Sequence, residues 1–183
     1  MDKSTAEKIL AESETIYSAG MVECATQNLA REVTASLRDS NPIVLITMIG
    51  AVVFAGRLLP HLKFPLEVDY IHATRYGATS LVGGEIVWKV GIPPKVAGRT
   101  VLVLDDILDT GETLLAIRER CLELEATAVY SCVLTNKHIG KPKVIVPTFA
   151  GLPLPNKFVF GCGMDIYGYW RNLPSIHAVV EEK

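Results

Sequence analysis

The run Val101-Leu102-Val103-Leu104-Asp105-Asp106-Ile107-Leu108-Asp109-Thr110-Gly111-Glu112-Thr113 decides how this chain reads. Four consecutive apolar residues without polar alternation predict a strand buried on both faces. A helix is expected from there to about residue 125, with Leu114, Ile117, Cys121 and Leu124 at helical spacing. Residues 127–134 read as a strand again. Strand, helix, strand is a βαβ unit, which implies parallel pairing and helices laid over the sheet. Open sheets of this kind bind ligands at the C-terminal ends of their strands. Asp105 and Asp106 are placed at such an end.

Working outward, residues 43–46 form a second buried strand, since β-branched residues dominate there. Gly50 then turns the chain into a helix over 52–59. Strands are expected at 66–73 and 85–90, with a mobile connection of about 74–84 between them. On the N-terminal side, Val22, Ala25, Leu29, Val33 and Leu37 recur at steps of three and four, predicting a helix over 21–38. Ser4 and Glu7 have capping-box spacing at the start of an earlier helix. Beyond Asn136 the chain is turn-rich, and 158–160 is a last short strand. The fold class expected is α/β: a mostly parallel central sheet flanked by helices, in a single domain spanning 1–183, with a small cap from the terminal segments.

Composition narrows the class. With 183 residues, 49% of them hydrophobic and 21% charged, the chain has the apolar content to bury a core. Eighteen basic against twenty acidic residues argue against a nucleic-acid partner. Cys24, Cys121, Cys132 and Cys162 are far apart with no C-x-x-C pair, which fits neither a zinc ribbon nor a disulfide scaffold. They read as free thiols. The longest nearly apolar run, 43–56, is shorter than the ~20 residues of a membrane span. A cytoplasmic location without membrane contact is expected.

The chemistry lies in the same run. Backbone N–H groups at a helix N-terminus, the Thr110 and Thr113 hydroxyls and the close approach that Gly111 permits suit a phosphate. Vicinal acids beside such a cradle suit ribose hydroxyls, or water molecules around magnesium. Asp109 also suits a plain N-cap, with Glu112 three positions on completing a capping arrangement. That leaves Asp105 and Asp106 unexplained, because charges beside a buried strand are costly unless something binds them. A D-x-D phosphatase motif and a phospho-receiver domain both place their acids differently.

The string VLVLDDILDTGETL resembles the phosphoribosyl pyrophosphate signature of the type I phosphoribosyltransferases, and the motif order resembles the hypoxanthine-guanine branch of that family. The resemblance implies that fold, with a hood formed by the terminal segments. It implies a salvage reaction joining hypoxanthine, and guanine, to phosphoribosyl pyrophosphate. Asp105 and Asp106 would hold the ribose hydroxyls, Asp109 would be the acid/base residue at the purine, and 109–113, Glu112 included, would cradle the 5′-phosphate. Lys137 would donate to the purine 6-oxo group, Phe158 would stack on the base, and Val159 would meet its edge. Asp165, with Asp105, would coordinate the magnesium cofactor beside the purine. Arg171 would grip pyrophosphate, with Lys141 a further basic position there.

One turn departs from the pattern. Where relatives carry a basic residue after the first core strand, Met48-Ile49-Gly50-Ala51 has none. Ile49 and Gly50 would serve pyrophosphate through their backbone, and Arg75, next to Tyr76 in the flexible loop, would replace the charge on closure. The partners implied are the two small-molecule substrates and further copies of the chain, in a homodimer or homotetramer. Two other readings share the fold: a nucleotide-sensing regulator and a xanthine-preferring enzyme.

Overall fold

A computed structural model describes residues 1–75 and 86–180. Helix α1 covers Lys3–Glu12, strand β1 Glu14–Tyr17, helix α2 Ala19–Leu37, strand β2 Ile43–Thr47 and helix α3 Ala51–Leu58. Strands β3 (Glu67–Arg75) and β4 (Ile86–Val90) follow. Then come β5 (Thr100–Leu108), helix α4 (Glu112–Glu123), β6 (Ala128–Lys137), β7 (Phe149–Leu154), β8 (Val159–Phe160) and β9 (Ile176–Ala178).

The main sheet has six strands in the order β4-β3-β2-β5-β6-β7. Every pairing is parallel except β3 with β4. Its central strands are apolar on both faces because helices cover both. Val44, Leu102 and Leu104 pack with α2 and α3, whose Val33, Phe54 and Leu58 are fully buried. Their neighbours Ile43, Leu45, Val101 and Val103 point the other way, onto Leu114, Ile117 and Cys121 of α4. Alternate side chains of one strand thus feed two cores. Truncating Leu104 to alanine would cost about 2–5 kcal/mol.

A second sheet, β1-β9-β8, joins the two ends of the chain, with both pairings antiparallel. Val159, Ile176 and Ala178 bury against the α2 side of the main sheet. Lys157 Nζ lies 2.6 Å from Glu14 Oε2, and Trp170 Nε1 donates to the Ala6 carbonyl at 2.8 Å.

Several boundaries differ from the sequence reading. The α1 cap is Asp2, not Ser4: its carboxylate accepts from the Thr5 N–H at 2.8 Å. Strand β5 does not stop at Leu104. It runs through the acids to Leu108, because β6 alongside keeps its pairing, Asp105 opposite Val133 and Leu108 opposite Asn136. Strand β3 continues through Thr74 and Arg75, which the reading gave to the loop, while Tyr76 and the rest of that loop lie outside the described residues. Strand β7 is absent from the reading, since Gly151 and Pro153 count against a strand. It is an edge strand, where a proline removes no needed ladder donor.

All four cysteines are free. Burial pushes the Cys121 and Cys162 thiols up to about 11, which makes them unreactive core groups. No helix among the described residues is long and apolar enough to cross a membrane.

Candidate active site

The C-terminal ends of β2, β3 and β5 and the start of α4 enclose a cavity of about 480 Å³. From β5 and the turn after it come Asp105, Asp106, Asp109, Thr110 and Gly111, with Thr113 from α4. Ile49 and Gly50 form the opposite wall, and Arg171 reaches in from the C-terminal segment. The cavity therefore unites most of the residues expected at a phosphoribosyl site.

Asp105 and Asp106 continue a strand and so belong to opposite faces of the sheet, yet both carboxylates sit at the cavity. Asp105 Oδ1 accepts from the Asp106 N–H and Asp106 Oδ1 from the Ile107 N–H, each at 3.1 Å. Burial pushes the Asp105 carboxyl well above the usual aspartate range, and the neighbouring Asp106 charge pushes the same way. Burial raises Asp106 too, against an opposing pull from its hydrogen bonds and from Arg171. Two acids that resist ionisation side by side are poised for a cation or for hydroxyl donors. The Asp106 carbonyl accepts from Thr135 Oγ1 at 2.7 Å.

Space around Asp106 is reserved by Gly50. A Cβ at Gly50 would stand 2.2 Å from Asp106 Oδ2, so any larger residue displaces that carboxylate. The Met48–Ile49 peptide preceding it is cis.

The helix mouth is built on Gly111, which caps α4 with φ +90°, in the left-handed region. A Cβ there would also approach Ile145 Cγ2 to 2.9 Å. No cap side chain hydrogen-bonds to the first turn. Asp109 is thus not the helix cap, and the capping account of it falls. The first-turn N–H donors meet the cavity that Thr110 and Thr113 line, an arrangement suited to an anion.

Asp109 projects outward, 52% exposed, and its Oδ2 lies 3.7 Å from the Nζ of Lys137, which is 16% exposed. Lys137 and Lys141 line a neighbouring cavity of about 440 Å³ that shares Leu108 with the first. Phe158 is 55% exposed, while Val159 is buried in β8, paired with Ala178. Neither is among the lining residues of these two cavities.

Arg171 donates to the Gly163 carbonyl through Nη1 and meets Asp165 Oδ1 through Nη2, both at 2.6 Å. The other Asp165 oxygen accepts from the Gly168 N–H at 2.6 Å. Asp165 is therefore engaged with Arg171 in this structure. Among the described residues no group of three or more His, Cys, Asp and Glu side chains is arranged to hold a metal.

Among the lining residues that escaped the sequence reading are Thr47, His72 and Lys89. Thr47 Oγ1 is buried without a hydrogen-bond partner among the described residues, which marks a place for a ligand donor or acceptor. A polar residue closing the apolar run 43–47 was the available signal. Lys89 brings a cation to a cavity whose 48–51 turn lacks one, and it stands out within the apolar strand β4. Nothing in the sequence singles out His72.

Comparison with known proteins agrees with this geometry. Residues 12–166 match the model of the phosphoribosyl transferase domain. The chain is 34% identical over 167 residues to the hypoxanthine-guanine-xanthine phosphoribosyltransferase of Tritrichomonas foetus, covering 91% of each. It is 30% identical to the hypoxanthine-guanine phosphoribosyltransferase of Lactococcus lactis subsp. lactis, covering 100% of this chain and 95% of that one. A hypoxanthine-guanine phosphoribosyltransferase structure from Bacillus anthracis superposes with a TM-score of 0.85 at 27% identity, covering 91% of this chain and 98% of that one.

Proposed function

The chain belongs to the phosphoribosyl transferase family, and on that premise we propose that it joins a 6-oxopurine to phosphoribosyl pyrophosphate. The products are pyrophosphate and a nucleoside monophosphate, with hypoxanthine giving IMP and guanine giving GMP. The observation that carries this reading is one cavity in which two vicinal acids, a glycine-led helix mouth and Arg171 converge.

In this reading the 5′-phosphate lies on the α4 mouth, held by backbone donors with Thr110 and Thr113, and Glu112 begins the helix. Asp105 and Asp106 accept from the ribose hydroxyls. A purine nitrogen attacks C1 of the sugar as the C1–O bond to pyrophosphate breaks, through a cation-like transition state. The proton released by the purine passes to Asp109. Lys137, beside Asp109, donates to the 6-oxo group, and adenine offers no acceptor there. Phe158 stacks on the base, with the Val159 backbone at its edge. Arg171, and Lys89 in place of the basic residue missing from 48–51, draw the leaving pyrophosphate.

Magnesium fits the donor set: hard carboxylate oxygens whose charges oppose an anionic substrate. Asp105 and Asp165 would hold it, Asp165 being shared with Arg171, and pyrophosphate and water would complete its shell. Bound there, the ion would neutralise charge on the leaving group. Chelator should abolish turnover and added magnesium restore it; full turnover without any divalent ion removes the metal from the account.

The 34% identity to an enzyme whose name includes xanthine supports a second possibility, a pocket that takes xanthine as well. Val68 and Tyr70 share one face of β3, each 48% exposed, and offer an apolar surface for the expected dimer or tetramer. A purine panel with pyrophosphate release as the readout tests the reading. Hypoxanthine and guanine should turn over, with adenine inert. Binding of phosphoribosyl pyrophosphate without release from any base would favour a nucleotide-sensing regulator.

A further inference from the structure

Lys143 lies in the turn-rich segment after β6, outside every strand and helix, and its half-buried side chain reaches back beneath the site. Its Nζ donates to the Leu108 carbonyl at 2.5 Å and to Asn136 Oδ1 at 2.7 Å. Leu108 and Asn136 face each other across β5 and β6. The next residue along β5's chain is Asp109, and the next along β6 is Lys137. One ammonium thus ties the two strands together at the positions from which the Asp109–Lys137 pair departs, 3.7 Å apart.

A surface lysine serving solubility would keep its ammonium in water. This one has given up part of its hydration for a main-chain carbonyl and a neutral amide. Burial lowers its pKa, the Asp109 charge opposes that shift and the Lys137 charge adds to it, so both site groups face it. The two strands have no further ladder pairing beyond Leu108 and Asn136. Lys137 is held on its other side by β7, opposite Leu154, but beyond Leu108 and Asn136 no ladder pairing ties it to Asp109.

We propose that Lys143 is a positioning residue that fixes the separation of Asp109 and Lys137 so that both engage the same purine. The proposal rests on the purine reading of this site and reaches beyond it to a residue that touches no substrate. Reacting groups displaced by about 1 Å lose on the order of a hundredfold in rate, so a cross-tie at this place has large leverage.

The test compares Lys143→Met and Lys143→Arg with the wild type, and places Lys143→Met in a Lys137→Met background. Lys143→Met should lower kcat/KM for hypoxanthine about tenfold or more, leaving KM for phosphoribosyl pyrophosphate unchanged. Lys143→Arg, still able to donate to two acceptors, should recover part of the loss. Because Lys143 acts partly through Lys137, the same substitution should add less once Lys137 is methionine than it does in the wild type. A KM raised equally for both substrates, or fully additive effects in the double variant, would overturn the proposal. A crystal structure of Lys143→Met gives a readout independent of turnover. A Lys137–Asp109 separation beyond ion-pair range supports the cross-tie, and an unchanged 3.7 Å overturns it. An inactive wild type would instead strike the purine reading itself.

Discussion

The two halves of the site are built in opposite ways. The phosphoribosyl half is centred on one continuous run, Asp105 to Thr113, where a strand ends and a glycine opens a helix, with Gly50 and Arg171 closing it from outside the run. The purine half is gathered from distant places: Lys137 at the end of β6, Phe158 and Val159 at the small second sheet, Asp165 in the C-terminal segment. The first half is rigid because buried sheet and helix hold it from both faces. The second depends on cross-ties such as Lys143 on Leu108 and Asn136, or Arg171 on Gly163 and Asp165. Local chain geometry suffices to cradle a phosphate, whereas reading a base takes tertiary packing.

Asp109 stands where the halves meet, so changing it should have the largest effect. Asp109→Asn should keep the fold and lower kcat roughly a hundredfold or more. Since Gly111 and not Asp109 caps α4, helix stability supplies no competing explanation. Turnover near that of the wild type would detach the proton chemistry from this residue.

Next in size is Gly50→Ala. The added methyl would meet Asp106 Oδ2 at 2.2 Å, an overpacking that costs about 1–3 kcal/mol. Displacement of Asp106 should raise KM for phosphoribosyl pyrophosphate about tenfold with little change for hypoxanthine. An unchanged KM for phosphoribosyl pyrophosphate would show that the carboxylate does not meet the sugar.

The smallest effect is on stability without ligand. The raised Asp105 and Asp106 carboxyls hold protons in the folded protein that the unfolded chain has already released. Stability from that source is present at low pH and is lost as pH rises from the ordinary aspartate range through the raised values. Relative to Asp106→Asn, the wild-type thermal midpoint should therefore fall as pH rises across this window, with about 2–4 °C for each kcal/mol lost. A difference between the two proteins that is flat in pH would contradict the burial argument.

How much the sequence reveals follows the same division. The run 101–113 is legible because apolar strand, acids and glycine are adjacent, and its family resemblance agrees with the domain match over residues 12–166. Even so, β5 runs past the acids to Leu108, since charge argues locally against a strand while pairing with β6 sustains it. Strand β7 is hidden by Pro153, harmless on an edge. Lys89 and His72 reach the cavity only because β3 lies beside β2 and β4 beside β3, a neighbourhood no local pattern encodes. Lys143 lies in a segment that reads as loop, and only the fold brings it under Leu108.

The division is tested most directly by steady-state kinetics of Asp105→Asn and Lys137→Met, measured side by side through pyrophosphate release. Asp105→Asn should raise KM for phosphoribosyl pyrophosphate and leave KM for hypoxanthine unchanged. Lys137→Met should do the reverse, losing the ~1.5–3 kcal/mol of a charged hydrogen bond to the base. Two variants that each raise both constants alike would contradict the account of one site with two separable halves.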